Sequence, residues 1–251
     1  MKNFLLTVEF DGRNFFGWQE QKDKRTVAGE IKKVLKKIFK KEIKLIGMGR
    51  TDRGVSALKY FCNFKVLLEK QIDLEILRKR INFLLPSEIY VKEIKEVPLD
   101  LNSRYVVRRK TYYYFVTTEV SPIKRHFCWE VPKEIDIKKM KEASKLFLGE
   151  KDFSKFCYCA KKGICQIEEI KIIKKNKEII FKITGNRFLY KMVRRIVGAL
   201  IDVGSNKREI KDVEKALSGE YHLPLTTAPA KGLTLYDCEI DWNNFKKVFD
   251  N

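Results

Sequence analysis

Apolar positions along this chain alternate with polar ones in some stretches and recur every three to four residues in others. The two periods divide it into strands and helices. Residues 3–10 predict a strand, closed by the turn Asp11-Gly12-Arg13-Asn14. Thr26 is placed to cap a helix whose apolar positions Val27, Ile31, Val34, Leu35, Ile38 and Phe39 share one face. Its opposite face carries Lys32, Lys33, Lys36, Lys37, Lys40 and Lys41. Strands at 42–46 and 58–67, a helix at 73–84 and a strand at 89–97 follow. The order β-α-β-β-α-β predicts a split, ferredoxin-like arrangement, an antiparallel sheet with helices on one face, which RNA-recognition modules commonly use.

Residues 98–103 read as a linker, and Thr111–Thr117 as a strong strand from its aromatic and β-branched content. A helix at 136–147, strands at 166–174 and 178–184, helices at 188–200 and 209–217 and a last strand at 233–240 complete the chain. In the 188–200 helix Met192, Val193, Ile196, Val197 and Leu200 point inward, while Lys191, Arg194 and Arg195 share a face. The expected fold is α/β (α+β): an N-terminal α/β domain over 1–103 and a C-terminal one over 104–251, two ferredoxin-like or RRM-like halves with mainly antiparallel sheets. The duplication rests on element order, since no sequence repeat is visible.

Charge narrows the class of partner. The 251 residues hold 53 Lys and Arg against 33 Asp and Glu, a formal net charge of +20. Solubility does not require such an excess, so a polyanion is expected: nucleic acid first, an anionic membrane surface second. No apolar run approaches a spanning length and the N-terminus does not resemble a signal peptide, which together predict a cytoplasmic protein. Cys62, Cys128 and Cys238 stand alone in apolar surroundings and read as reduced core residues. Cys157, Cys159 and Cys165 cluster, but with spacings unlike those of structural zinc sites, so no metal is expected there.

Between strands 42–46 and 58–67 lies Gly47-Met48-Gly49-Arg50-Thr51-Asp52-Arg53-Gly54-Val55-Ser56-Ala57. Its glycines allow tight turns and close approach of main chain to a ligand. Asp52 stands between Arg50 and Arg53, and a nearby cation favours the ionised carboxylate that a nucleophile or base requires. A plain Gly-rich turn fits the same spacing. Phosphate-loop and dinucleotide-binding signatures are missing, and the two histidines, His126 and His222, form neither a zinc-protease motif nor a nucleophile elbow. An activated Asp, basic faces and exposed aromatics suit chemistry on a nucleobase without metal or redox cofactor. A catalytically idle RNA-binding protein and a metal-dependent nuclease remain open on the residues alone.

Gly49-Arg50-Thr51-Asp52-Arg53-Gly54-Val55 resembles the catalytic signature of the TruA family of tRNA pseudouridine synthases. Further blocks resemble that family in order: Phe10-Asp11-Gly12 with Phe16-Gly17-Trp18-Gln19-Glu20-Gln21, then Arg104 with Lys110-Thr111-Tyr112-Tyr113-Tyr114. Residues 188–198, containing Met192-Val193-Arg194-Arg195, and residues 227–235 supply the last two. The chain departs from the family at Ser56, where a histidine is usual, and at Leu101-Asn102-Ser103-Arg104, which replaces Phe-His-Ala-Arg. The resemblance implies a cytoplasmic homodimer of two α/β domains, a central RNA-binding cleft and no cofactor. It implies isomerisation of uridine to pseudouridine at positions 38, 39 and 40 of the tRNA anticodon stem-loop. Asp52 would be the catalytic group, as nucleophile or as base, with Arg194 paired to it. Tyr112 would stack on the target base, and Arg50 or an aromatic from the loop 15–18 would fill the gap left by the flipped base or hold the backbone.

Overall fold

The computed structural model describes residues 1–68, 70–131, 133–157, 163–220 and 225–242. The fold is mixed α+β with mostly antiparallel pairing, and the chain divides into two compact units. One comprises residues 1–108 together with the C-terminal stretch from 235; the other comprises 109–234. Sequence reasoning drew its boundary after 103 and assigned the last strand to the second half. The difference arises because the chain's end pairs with the N-terminal strands, a long-range choice that periodicity does not carry.

The first unit runs β1 (Lys2–Phe10), α1 (Val27–Phe39), β2 (Leu45–Gly47), β3 (Ser56–Val66), α2 (Leu74–Leu84) and β4 (Ile89–Val97). Strand β1 is central, antiparallel to β3 on one side and β4 on the other. Strand β2 pairs with β3 through Leu45↔Phe64 to Gly47↔Cys62, and β10 (Leu233–Ile240) also lies beside β3. Both helices start where their caps specify. The Thr26 hydroxyl accepts from Gly29 N, and the Asp73 carboxylate from Glu75 N and Ile76 N. Val27, Ile31, Val34 and Leu35 of α1 are buried as their spacing requires.

Two expectations change here. The strand at 42–46 is a three-residue strand that starts three positions later and ends one later, since Glu42 and Lys44 stay in solvent. Residues 98–103 are not a free linker. Buried Asn3 donates from Nδ2 to the carbonyls of Pro98 (2.8 Å) and Leu101 (3.0 Å), and Asn63 Nδ2 donates to Asn3 Oδ1 (2.9 Å). Ser103 completes this network, its N–H donating to Asn63 Oδ1 (2.9 Å) and its hydroxyl to Ile46 O (2.7 Å). Buried amides that satisfy one another fix a single path for the backbone they hold. The short helix α3 (Ser103–Val106) follows.

The second unit is a sheet in the order β5 (Val107–Thr117), β9 (Glu178–Gly185), β8 (Ile164–Lys175), β7 (Gly149–Asp152), with β6 (Trp129–Glu130) parallel to β5. Its helices are α4 (Ile137–Ser144), α5 (Met192–Gly204) and α6 (Ile210–Ser218). Helix α5 is buried along most of its length, including Met192, Val193, Ile196, Val197 and Leu200. It begins four residues later than the periodicity predicted. Lys191 has a positive φ of 61° and ends a non-helical turn, so it does not extend the Arg194–Arg195 face as a helical residue.

Candidate functional site

The Asp52 loop rests on the segment that follows β1. Gly12 N donates to Ser56 Oγ (3.0 Å), and a Cβ at Gly12 would lie 1.9 Å from Val55 O. Gly17 has φ +85°, and a Cβ there would lie 2.3 Å from Thr51 O. Gly54 N donates to Phe15 O (3.2 Å), and Val55 N to Asp52 O (3.2 Å). The main chain on both sides of Asp52 is therefore clamped by backbone that only glycine allows so close. The segment is anchored in turn, since Val27 N and Ala28 N at the start of α1 donate to the carbonyls of Gly17 and Trp18.

Beneath the loop lies an aromatic floor. Trp18 stacks on Tyr60 with ring centroids 4.0 Å apart, and Phe10 meets both rings. The Tyr60 hydroxyl donates to Gly49 O and also accepts from Gly49 N (3.3 Å). Phe15 and Trp18 are 1% and 3% exposed. These two are core, so of the aromatics in the loop 15–18 that were expected to offer one ring to the RNA, only Phe16 is half-buried. The Arg53 guanidinium covers the Phe16 ring at 4.3 Å and Lys24 approaches it at 4.8 Å. Asp52 itself is half-buried, and Arg50 is exposed.

In the second unit Tyr112 is half-buried on β5, opposite Ile183 of β9, and its ring meets Phe188 edge-on at 5.2 Å. Arg194 is half-buried in the first turn of α5, where its Nε donates to Ala228 O (2.7 Å) and its carbonyl accepts from Ala228 N (3.1 Å). Arg195 points elsewhere, its Nη1 donating to the carbonyls of Lys155 (3.1 Å) and Cys157 (2.9 Å). A helical step of about 100° separates the two side chains and gives them different work. Buried Tyr114 donates from its hydroxyl to Pro229 O (2.7 Å), and burial pushes that phenol well above its ordinary range.

The lysines of α1 are partly engaged. Lys32 pairs with Glu20 (2.6 Å), Lys33 with Glu30 (3.1 Å), and Lys36 with Glu42. Cys62, Cys128 and Cys238 are buried thiols, and desolvation pushes Cys62 far up. Cys159 and His222 lie outside the described residues. Among the described residues no group of three His, Cys, Asp or Glu side chains stands close enough to hold a metal ion. Nor, among them, is any helix long and apolar enough to cross a membrane.

Sequence reasoning missed Gly12, Gly17 and Tyr60 as the support of the Asp52 loop. The glycines stood in full view within Asp-Gly and Phe-Gly-Trp, but nothing local says which backbone each must approach.

A family model described as tRNA pseudouridine synthase matches residues 6–106 and 143–241. The chain is 37% identical over 243 residues to a tRNA pseudouridine synthase A of Caldicellulosiruptor bescii, covering 94% of this chain and 99% of the relative. It is 39% identical over 242 residues to a tRNA pseudouridine synthase A 2 of Clostridium tetani, covering 93% and 97%. A tRNA pseudouridine synthase A of Thermodesulfovibrio yellowstonii is 36% identical over 251 residues, with 94% and 98% covered.

Proposed function

The chain belongs to the tRNA pseudouridine synthase family, an isomerase family, and on that premise we propose that it converts uridine to pseudouridine at positions 38, 39 and 40 of the tRNA anticodon stem-loop. The reaction breaks the N1–C1′ glycosidic bond, turns the uracil in place and joins C5 to C1′, with the C5 proton lost and one taken up at N1. Asp52 is the catalytic group, acting at the sugar as nucleophile on C1′ or as base toward a ribose proton. The observation that carries this reading is the Asp52 loop: a half-buried carboxylate on a backbone clamped by Gly12, Gly17 and Tyr60. Such support keeps a reacting group aimed before substrate arrives.

Tyr112 binds the target base through its ring, and its position against Phe188 supports that role by limiting the ring's rotation. Arg194 binds substrate as a cation whose guanidinium plane is set by Ala228 O. Arg50, exposed beside Asp52, contacts the RNA where the base has left its stack. The two halves are read as related ferredoxin-like domains, supported in the first by its strand order β4-β1-β3-β2. Homodimerisation and a cytoplasmic site of action, with tRNA as partner and no cofactor, complete the proposal.

The test is pseudouridine formation in an anticodon stem-loop incubated with purified protein in EDTA. Wild type is expected to convert uridine at the three positions and an Asp52→Asn protein at none. Loss of wild-type activity in EDTA, or cleavage of the RNA, would overturn the reading.

A further inference from the structure

Residues 226–228 form a strap laid along one face of α5. Three positions spaced by four residues, Arg194, Gly198 and Asp202, make that face. At its far end Thr226 Oγ1 donates to Asp202 Oδ2 (2.6 Å). In the middle Gly198 carries no side chain, and a Cβ there would lie 1.9 Å from Thr226 O. At the near end Arg194 and Ala228 exchange two hydrogen bonds, the second from the Arg194 side chain itself. The strap continues to Pro229, whose carbonyl Tyr114 holds.

Asp202 is an unusual residue for this place. It is 3% exposed, in the stretch of α5 from Ile196 to Gly204 whose other residues are apolar or glycine. Buried carboxylates cost free energy unless charge and hydrogen bonds compensate them. Here Arg208 Nε donates at 3.1 Å and Lys207 Nζ stands 3.3 Å away, while the backbone N–H groups of both residues donate to Asp202 O. A methionine or leucine would fill the same space in an apolar helix without any of these partners. Besides pairing these cations, the carboxylate grips Thr226, whose Oγ1 also accepts from Lys207 Nζ (3.2 Å).

We propose that Asp202 is a positioning residue for the isomerisation: through Thr226 it clamps the strap 226–228, and the strap sets the orientation of Arg194. The inference rests on the reading of Arg194 as a substrate-binding cation. The Asp202 carboxylate touches neither substrate nor reacting atoms. It acts through the strap, whose Ala228 O stands 2.7 Å from Arg194 Nε. A displaced strap leaves Arg194 present but misaimed, and misplacement of a working group by about 1 Å costs rates on the order of 100-fold.

The experiment is a rate and affinity comparison on a tRNA anticodon stem-loop, at saturating enzyme in single turnover, for Thr226→Val, Thr226→Ser, Asp202→Asn and Arg194→Ala. Thr226→Val and Asp202→Asn are expected to slow the chemical step by about 10-fold or more, with stem-loop affinity within about threefold of wild type. Thr226→Ser, which keeps the hydroxyl, restores the rate. In the Arg194→Ala background Thr226→Val is expected to add no further loss, because its effect passes through Arg194. A structural role alone would instead lower folded fraction and multiply with Arg194→Ala. If Asp202→Asn does not fold, the Thr226 pair carries the test. An impaired Arg194→Ala beside a wild-type rate in Thr226→Val overturns the clamp alone. An unimpaired Arg194→Ala overturns the substrate-binding reading of Arg194, and the clamp with it.

Discussion

The Asp52 loop and the Arg194 face are both supported polar positions, but they are supported by different means. Around Asp52 the holding atoms are mostly main chain on both sides, Gly12 against Val55, Gly17 against Thr51 and Gly54 against Phe15, with the hydroxyls of Ser56 and Tyr60 added. Around Arg194 the holding atoms include its own side chain, in a hydrogen bond to a strap fastened at Asp202 and Tyr114. A loop has no internal ladder to fix it, so it needs contact with backbone that cannot move. A residue on a helix has its Cα placed already and needs only its rotamer chosen. Adding atoms is therefore the natural way to break the first region, and removing them the way to break the second.

The largest expected effect is Asp52→Asn. The amide is neither nucleophile nor base at neutral pH, so turnover should fall on the order of 10⁴-fold or more. Circular dichroism and stem-loop binding should stay close to wild type. Multiple turnover by a verified variant would remove Asp52 from the chemistry.

Next comes Gly17→Ala, which adds one methyl group. It meets both a positive φ of +85° and Thr51 O at 2.3 Å, so the backbone under Asp52 must shift. A stability loss of about 2–3 kcal/mol is expected from strain and overpacking, with a rate loss on the order of 100-fold. Gly149 supplies the control, since its φ is +87° but nothing lies within 4 Å of an added Cβ. Gly149→Ala should cost about 1–2 kcal/mol of backbone strain and leave the rate alone. Equal rates for the two alanine variants would show that the glycine clamp does not position Asp52.

On the other side of the comparison, Arg194→Ala should slow single turnover on the order of 100-fold, as loss of one oriented cationic donor does. Arg195→Ala removes two hydrogen bonds to the carbonyls of Lys155 and Cys157. It should lower stability by about 1–2 kcal/mol and keep the rate within about twofold. Denaturant melts and rates on the same preparations measure this crossover. Similar rate losses from both would make α5 a general basic surface.

The smallest effect is acid sensitivity at the edge of the Asp52 support. Glu88 holds Arg25 (2.9 Å) and accepts from Asn14, and Arg25 draws its carboxyl down to about 2 from an ordinary 4.5. A carboxyl depressed in the folded state contributes stability that is fully present above its ordinary value. That contribution is lost as pH falls from about 4.5 toward 2. Being a surface pair, it is worth about 1 kcal/mol or less. Glu88→Gln should flatten the acid limb of the stability curve by that amount and leave neutral stability slightly lower. An unchanged acid limb would mean that the Arg25 pair does not hold this edge.

How much of this was legible from the chain depends on the range over which each feature is encoded. The helix α1 and the strand β4 could be drawn almost to the residue, because a 3.6-residue period, alternation and the Thr26 cap are all local. The start of α5 was drawn too early, because the apolar period runs back through Phe188 and Leu189 while Lys191 has left the helical region. The order of motifs and the net charge sufficed to propose a family and a polyanionic substrate, since neither depends on how the chain folds back.

By itself, then, the sequence determined the elements, the carboxylate in its glycine loop and the class of chemistry those residues resemble. Only the tertiary structure decided that Phe15 and Trp18 are core, and that residues 98–103 are bound to Asn3 and Asn63. It alone laid Thr226 and Ala228 on the face shared by Arg194, Gly198 and Asp202. The physical reason is one of distance along the chain. Periodicity records which side of an element is buried, but a hydrogen bond between residues 34 or 98 positions apart leaves no period behind. Its two ends become partners only when the sheet and helices have brought them together.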